Sequence, residues 1–311
     1  MSFSAVFRRE LENHLNLKVL LIYVLILLIP LILFSNLSEE AQMFSNLTLD
    51  LKVEYLTGFF LIFAFVWICG FALSVITIYK CSGFIAEEVS SRTLLLMVSK
   101  PIKRHNFILA KFLAFFIFIL LLQLLSLFVT LYFWASFFKL DVFSLAKVLR
   151  IVPPLMVYST FIILVFGTLS TAFSSIFSSR TKAILPLIAI VIIAFIIFVP
   201  VRGAARSSGI YESYFLDTLD IGYDFGNIYV SILENSGVKP VPFIQGAIGS
   251  FTGTYIIPEG GVKVDYDHSV ILESLDRAGY HSLEHSLLKL TLAPMLILIL
   301  SVLIFQRRDV H

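Results

Sequence analysis

Six apolar runs decide what this chain can become. Leu17 to Phe34, Tyr55 to Tyr79, Phe112 to Trp134, Val152 to Phe173, Ala183 to Val199 and Leu288 to Phe305 all come near the roughly 20 residues an α-helix needs to cross a bilayer core. Backbone in lipid finds no water to bond, so such runs close their hydrogen bonds within themselves as helices. Composition agrees: 59% of the 311 residues are hydrophobic and 14% charged, where soluble domains carry about 25% charged residues. A net charge of +2, with no Lys/Arg run interleaved with exposed aromatics, excludes nucleic acid as a partner.

Six spans place both termini on one side, and the cations say which. Arg8, Arg9 and Lys18, the stretch from Lys80 to Lys111, Arg180 with Lys182, and Arg307 with Arg308 share a side. The loop from Ser35 to Glu54 on the other side carries only Lys52, although Lys139, Lys147 and Arg150 weaken the contrast at the second such loop. The positive-inside rule then predicts a multi-pass plasma-membrane protein with cytoplasmic termini. Phe3, Phe7, Leu11 and Leu15 recur at i, i+4, which predicts an interfacial helix over Met1 to Asn16. The first apolar run is too long for a signal-peptide core, and no small-x-small cleavage pattern follows it.

One charged, turn-rich stretch, IAEEVSSRTLLLMVSKPIKRHNFILAK from Ile85 to Lys111, interrupts the apolar pattern. Glu87 and Glu88 follow an apolar run, where they oppose the helix macrodipole unless a cation or a partner compensates them. Thr93 to Val98 reads as a short helix between Ser91, an N-cap candidate, and Pro101, which ends it. A brief helix lying along the membrane face suits a lever that something outside the bilayer engages.

Over these residues the chain resembles the permease subunits of type-two, exporter-like ATP-binding cassette (ABC) transporters. Their pattern is a glutamate, three residues, Gly-Thr, a leucine-rich helix, a small residue and Pro, then basic residues and a Lys opening the next span. Glu88, Thr93, Leu94, Leu95, Leu96, Ser99, Pro101, Arg104 and Lys111 supply it here in that order. Arg92 replaces the usual Gly and cannot take positive φ as cheaply. The resemblance implies an all-α membrane protein of about six transmembrane helices, with an N-terminal interfacial helix and a cytoplasmic coupling helix at 91–104. It implies that two ABC ATPase subunits dock there, at Glu87, Glu88, Arg92 and the residues just named, and that the permease pairs with a second copy or a homologue within membrane lipid. Arg180, in the loop SSIFSSRTK from Ser174 to Lys182, is a candidate second contact. ATP and Mg would be bound by the ATPase partner, with no cofactor in this chain, and no catalytic or metal-binding residue is expected.

The domain reading follows: 1–199 holds spans one to five, 200–287 an extracellular domain of mixed α/β character, and 288–311 the sixth span and a cytoplasmic tail. Within Pro200 to His285, Ile221 to Glu234 predicts a helix, Thr254 to Tyr266 a hairpin and Ser269 to Ala278 a helix. Such a domain is expected to cap the outer mouth or recruit an external partner.

Other chemistries are weaker. Glu87-Glu88-x-x-x-Arg92 also matches the EExxxR pattern of intramembrane glutamyl proteases, but the companion histidine motifs of that family are missing. His281-Ser-Leu-Glu284-His285 has the H-x-x-E-H spacing of a zinc pair, but downstream of it only Asp309, beyond a membrane span and on the other side, could be a third ligand. No P-loop pattern occurs, so the chain has no ATP site of that kind. The span interiors carry no carboxylates for an ion-coupled pump, leaving Gln123, Thr130, Ser159 and Thr168 as pathway candidates, where hydroxyls also serve helix packing. Asn36-Leu-Ser38 and Asn46-Leu-Thr48 are glycosylation sequons on the expected outer side.

Overall fold

The computed structural model describes residues 3–15, 17–35, 48–90, 104–177, 179–258, 261, 264–265, 270–271 and 273–307. The chain is mostly helical. Helix α1 (Phe3–His14) precedes α2 (Leu17–Ser35). The second long rod runs through α3 (Leu49–Phe63), a π segment (Ala64–Ala72) and α4 (Leu73–Cys81), then restarts as α5 (Gly83–Ser90). Next come α6 (Arg104–Phe137), the short α7 (Val142–Val148) and α8 (Val152–Ile176). Helix α9 (Arg180–Ile192) continues through a π segment (Ile193–Ile197) into α10 (Phe198–Ser207). The chain closes with α15 (Leu283–Arg307). Among the described residues five of these rods are long and apolar enough to cross a membrane, and the first expected span appears as α2, whose described apolar part, Leu20–Pro30, is shorter.

Local sequence explains the breaks. Asp141 caps α7 by accepting from the Ser144 amide at 3.3 Å, and prolines stand in the first turn of α8, where a missing N–H costs nothing. The two π segments touch: Phe65 and Phe195 meet edge to face at 5.7 Å. A π turn widens the helix locally, which here lets two rods bring aromatic rings into one layer.

Between α10 and α15 lie α11 (Ile210–Ser213), α12 (Leu216–Leu219), α13 (Ile221–Asn235) and α14 (Pro242–Thr252). Helix α13 ends as expected before Gly237, whose φ of 77° closes the cap. It belongs to the same core as the spans: Phe225 packs on Phe166 at 5.7 Å and Phe195 at 5.3 Å, Tyr229 on Tyr158 at 4.8 Å, and the Tyr229 hydroxyl donates to the Leu61 carbonyl at 2.7 Å. Its N-terminus is fixed by a buried pair. Arg202 (2% exposed) donates from Nε and Nη2 to Asp220 (0% exposed) at 2.6 and 3.0 Å, and Asp220 also caps Tyr223 N at 2.9 Å. Tyr211, donating to the same carboxylate at 2.9 Å, has its hydroxyl pushed above the usual phenol range by burial and by Asp220.

The strands differ from the sequence expectation. Strand β1 (Tyr255–Ile256) pairs antiparallel with β4 (Asp276–Arg277), Tyr255 facing Arg277, and β2 (Val264–Asp265) pairs with β3 (Val270–Ile271). Thr254 to Tyr266 is therefore not one hairpin, and strands replace the helix expected over Ser269 to Ala278. Long-range anchoring overrides local propensity there: the Leu275 amide donates to Gln245 of α14, and Arg277 reaches Asn227 and Ser231 of α13.

Candidate functional site

The break between α4 and α5 is stitched by α8. The first amides of a helix lack intrahelical partners, and those of Ile85 and Ala86 donate to Ser174 Oγ at 2.9 and 3.0 Å. Ser170, one turn earlier, donates to the Ile78 carbonyl at 2.9 Å. Gly83 starts α5 where a Cβ would stand 2.9 Å from the Glu87 carboxyl carbon, so glycine leaves Glu87 room to fold back over its own helix start.

Arg180, the first residue of α9, fixes that glutamate. Its Nη1 pairs with Glu87 Oε1, its Nη2 donates to the Tyr79 carbonyl at 2.5 Å, and its guanidinium lies 3.7 Å from the Tyr79 ring centroid. The side chains are 26% and 55% exposed, so the ion pair itself contributes about 1 kcal/mol or less. What it supplies is geometry, a planar cation held by stacking and a fork of donors.

Helix α6, which follows residue 103, is clasped from the N-terminus. Lys111 is buried, donates to the Phe84 carbonyl at 3.3 Å and lies 3.4 Å from the Glu10 carboxylate. Helix α1 thus presents Val6, Glu10 and His14 to the bundle, while Phe3 and Leu15 of the expected apolar face remain exposed. His14 stacks on Phe118 at 5.8 Å and meets Phe115 edge on at 5.7 Å. Burial, and then the charges of Lys80 and Lys111, lower its pKa from 6.5 to about 4.

The sequence candidates divide accordingly. Glu87, Arg180 and Lys111 converge on the two legs that flank 91–103. Glu88 and Arg104 are helical, in α5 and α6, but their side chains lie outside the described residues, as do Arg92, Thr93, Leu94, Leu95, Leu96, Ser99 and Pro101 altogether. Gln123 is sealed inside the bundle: it accepts from Tyr23 at 3.0 Å and donates to Ser159 at 3.1 Å, with Cys69 Sγ at 3.4 Å. Thr130 is equally buried and donates to Ser126 O at 2.6 Å, whereas Thr168 turns back to Leu164 O at 2.7 Å. In this conformation Gln123 and Ser159 are packing contacts between helices, while Thr130, like Thr168, bonds back within its own helix. His281 and His285 stand with ring centroids 4.6 Å apart, yet no group of three potential ligands occurs among the described residues.

Sequence reasoning missed Tyr79, Glu10 and His14, and reached Ser174 only as the first residue of the loop 174–182, without its partners. Their partners lie 70 to 104 residues away, so no local spacing marks them.

No curated protein matches the chain. The family described as ABC-2 family transporter protein matches residues 4–310. With its apolar rods and the two braced legs around 91–103, the chain belongs to the ABC-2 transporter family, as a membrane-spanning permease.

Proposed function

We propose that this permease is the transmembrane half of an exporter whose energy comes from two separate ATPase subunits, which hold the ATP and Mg, docked on the segment 91–104 with both termini cytoplasmic. The observation that carries the reading is the bracing of both legs of that segment: Arg180 holds Glu87 on the entering leg, and Glu10 with Lys111 holds the leaving one. A segment anchored at both ends transmits a push to the rods that bear it. Closure of the ATPases would then tilt α4 and α6 together, and with them α8, which carries Ser174. A second permease copy or a homologue completes the transporter, and the domain at 200–287 caps its outer mouth or recruits an external partner. The permease itself performs no bond chemistry.

The test is reconstitution with an ABC ATPase subunit. Co-purification and ATP-dependent movement of cargo out of inverted vesicles or cells support the reading. Transport without any ATPase, or peptide cleavage by the permease alone that disappears in Glu87→Gln, overturns it in favour of a secondary transporter or a glutamyl protease.

A further inference from the structure

At the end of the bundle away from the α5–α6 end, a cavity of about 140 Å³ opens between α3 and the turn leading from α13 into α14. Val53, Leu61, Val241 and Ile244 wall it, and Glu54 and Lys239, both exposed, line it from opposite elements. Neither charge enters a hydrogen bond or ion pair with another described residue. Two unlike charges facing one cavity without neutralising each other complement a ligand that carries both signs. Thr57, the other polar lining group, already donates to the Val53 carbonyl at 2.7 Å.

Size and depth narrow the ligand. The back is closed where Ile244 presses on Gly58: a Cβ there would stand 2.2 Å from Ile244 Cδ1. The volume is the liquid share of about five waters, room for a small headgroup and not for an amphiphile with its chains. Tyr55, half-buried one residue after Glu54, meets the exposed Phe243 edge on at 6.0 Å. Tyrosine gathers at the membrane–water boundary, which sets the charges at headgroup level.

We propose that this cavity binds the headgroup of a zwitterionic, amine-bearing phospholipid, with its phosphate at Lys239 and its ammonium at Glu54, while the acyl chains stay in the adjoining bilayer. The site requires only that the chain lie in a membrane and is independent of how transport is driven.

Binding to the purified full-length permease in detergent, read by native mass spectrometry, tests it with three probes: short-chain phosphatidylethanolamine, phosphatidylglycerol of the same chains, and soluble phosphoethanolamine. Phosphatidylethanolamine is expected to bind at least about fivefold more tightly than phosphatidylglycerol, and Glu54→Gln or Lys239→Gln to weaken it by about fivefold or more each. The exchanged pair, Glu54→Lys with Lys239→Glu, should recover part of the loss. Thr57→Trp, which fills the cavity without touching a charge, should abolish binding while the unfolding temperature stays near that of the parent. Equal binding of the two lipids, or unchanged binding in both charge variants, overturns the site. Soluble phosphoethanolamine binding as tightly as the lipid overturns the lipid assignment.

Discussion

Arg180 lies with its guanidinium 3.7 Å from the centroid of the Tyr79 ring and donates to the carbonyl of that same residue at 2.5 Å. One side chain thereby grips the last turns of α4 from the start of α9, and its other terminal nitrogen, Nη1, takes Glu87. The three contacts need a flat, forked cation, a shape that lysine lacks.

Arg180→Ala is therefore expected to lower cargo-stimulated ATP hydrolysis by the assembled transporter several-fold while costing about 1 kcal/mol of stability, the scale of a partly exposed pair. Arg180→Lys should restore the charge without restoring coupling. Full recovery by lysine, measured as ATPase stimulation, would show that charge alone matters and that the stacked geometry is incidental.

How far the sequence could be read follows the range of the forces involved. Five of the six expected span positions were legible, because burial in lipid acts on every residue of a run, and α13 was legible from its capping residues and Gly237. Glu87, Arg180 and Lys111 were nominated by charge. Their partners were not, since Ser174 meeting Ile85 depends on how α8 crosses α5, and no period in either segment encodes that crossing. The π segments at Ala64–Ala72 and Ile193–Ile197 were equally hidden: their apolar residues satisfy an α period as well, and only the Phe65–Phe195 contact distinguishes them.

His14 gives a pH dependence with a definite sign. Its docked value is about 4 against an ordinary 6.5, so between these values the detached α1 binds more protons than the docked one. Docking is fully favourable above about pH 6.5, weakens as pH falls, and loses on the order of 3 kcal/mol by pH 4. Labelling of a cysteine at Val6 should become faster across that window, and His14→Phe should flatten the dependence while keeping the ring packing.

The buried pair of Arg202 and Asp220 should be costly to halve and cheaper to remove. Asp220→Asn keeps an oxygen for the Tyr223 amide but strands the guanidinium, and is expected to destabilise by about 3–5 kcal/mol. Adding Arg202→Met removes the stranded charge and should return much of that loss in thermal unfolding. A double variant as unstable as the single one would place the cost in the cap and not in the charge.

Two glycines make opposite predictions. At Gly222 a Cβ would stand 2.3 Å from the backbone oxygen of Ala194, whereas at Gly203, inside α10, nothing lies within 4 Å. Gly222→Ala forces α13 away from the fifth rod and should cost about 1–3 kcal/mol or more. Gly203→Ala should stabilise by about 0.5–1 kcal/mol through lost chain entropy. Thermal unfolding of the two variants in one detergent reads the difference.

The last prediction concerns which part of the stretch after α10 can be removed. On sequence alone, replacing Ile210 to Ser282 by a Gly/Ser linker is expected to leave insertion and assembly intact. The structure reverses that expectation for α13, because Phe225 and Tyr229 fill the layer formed by Phe65, Tyr158, Phe166 and Phe195. Losing two such aromatic side chains from a core costs about 3–5 kcal/mol each, enough to exceed the stability of most domains. The replaced protein should be degraded or aggregate. The stretch between Pro258 and Glu273 is different: Tyr255 and Arg277 are cross-strand partners, so a short turn can join the chain there while Leu275, Arg277 and their anchors on α13 and α14 stay in place. That shorter replacement should give near-parental yield and unfolding temperature. Normal yield from the full replacement would show that α13 is a guest in the core and not part of it.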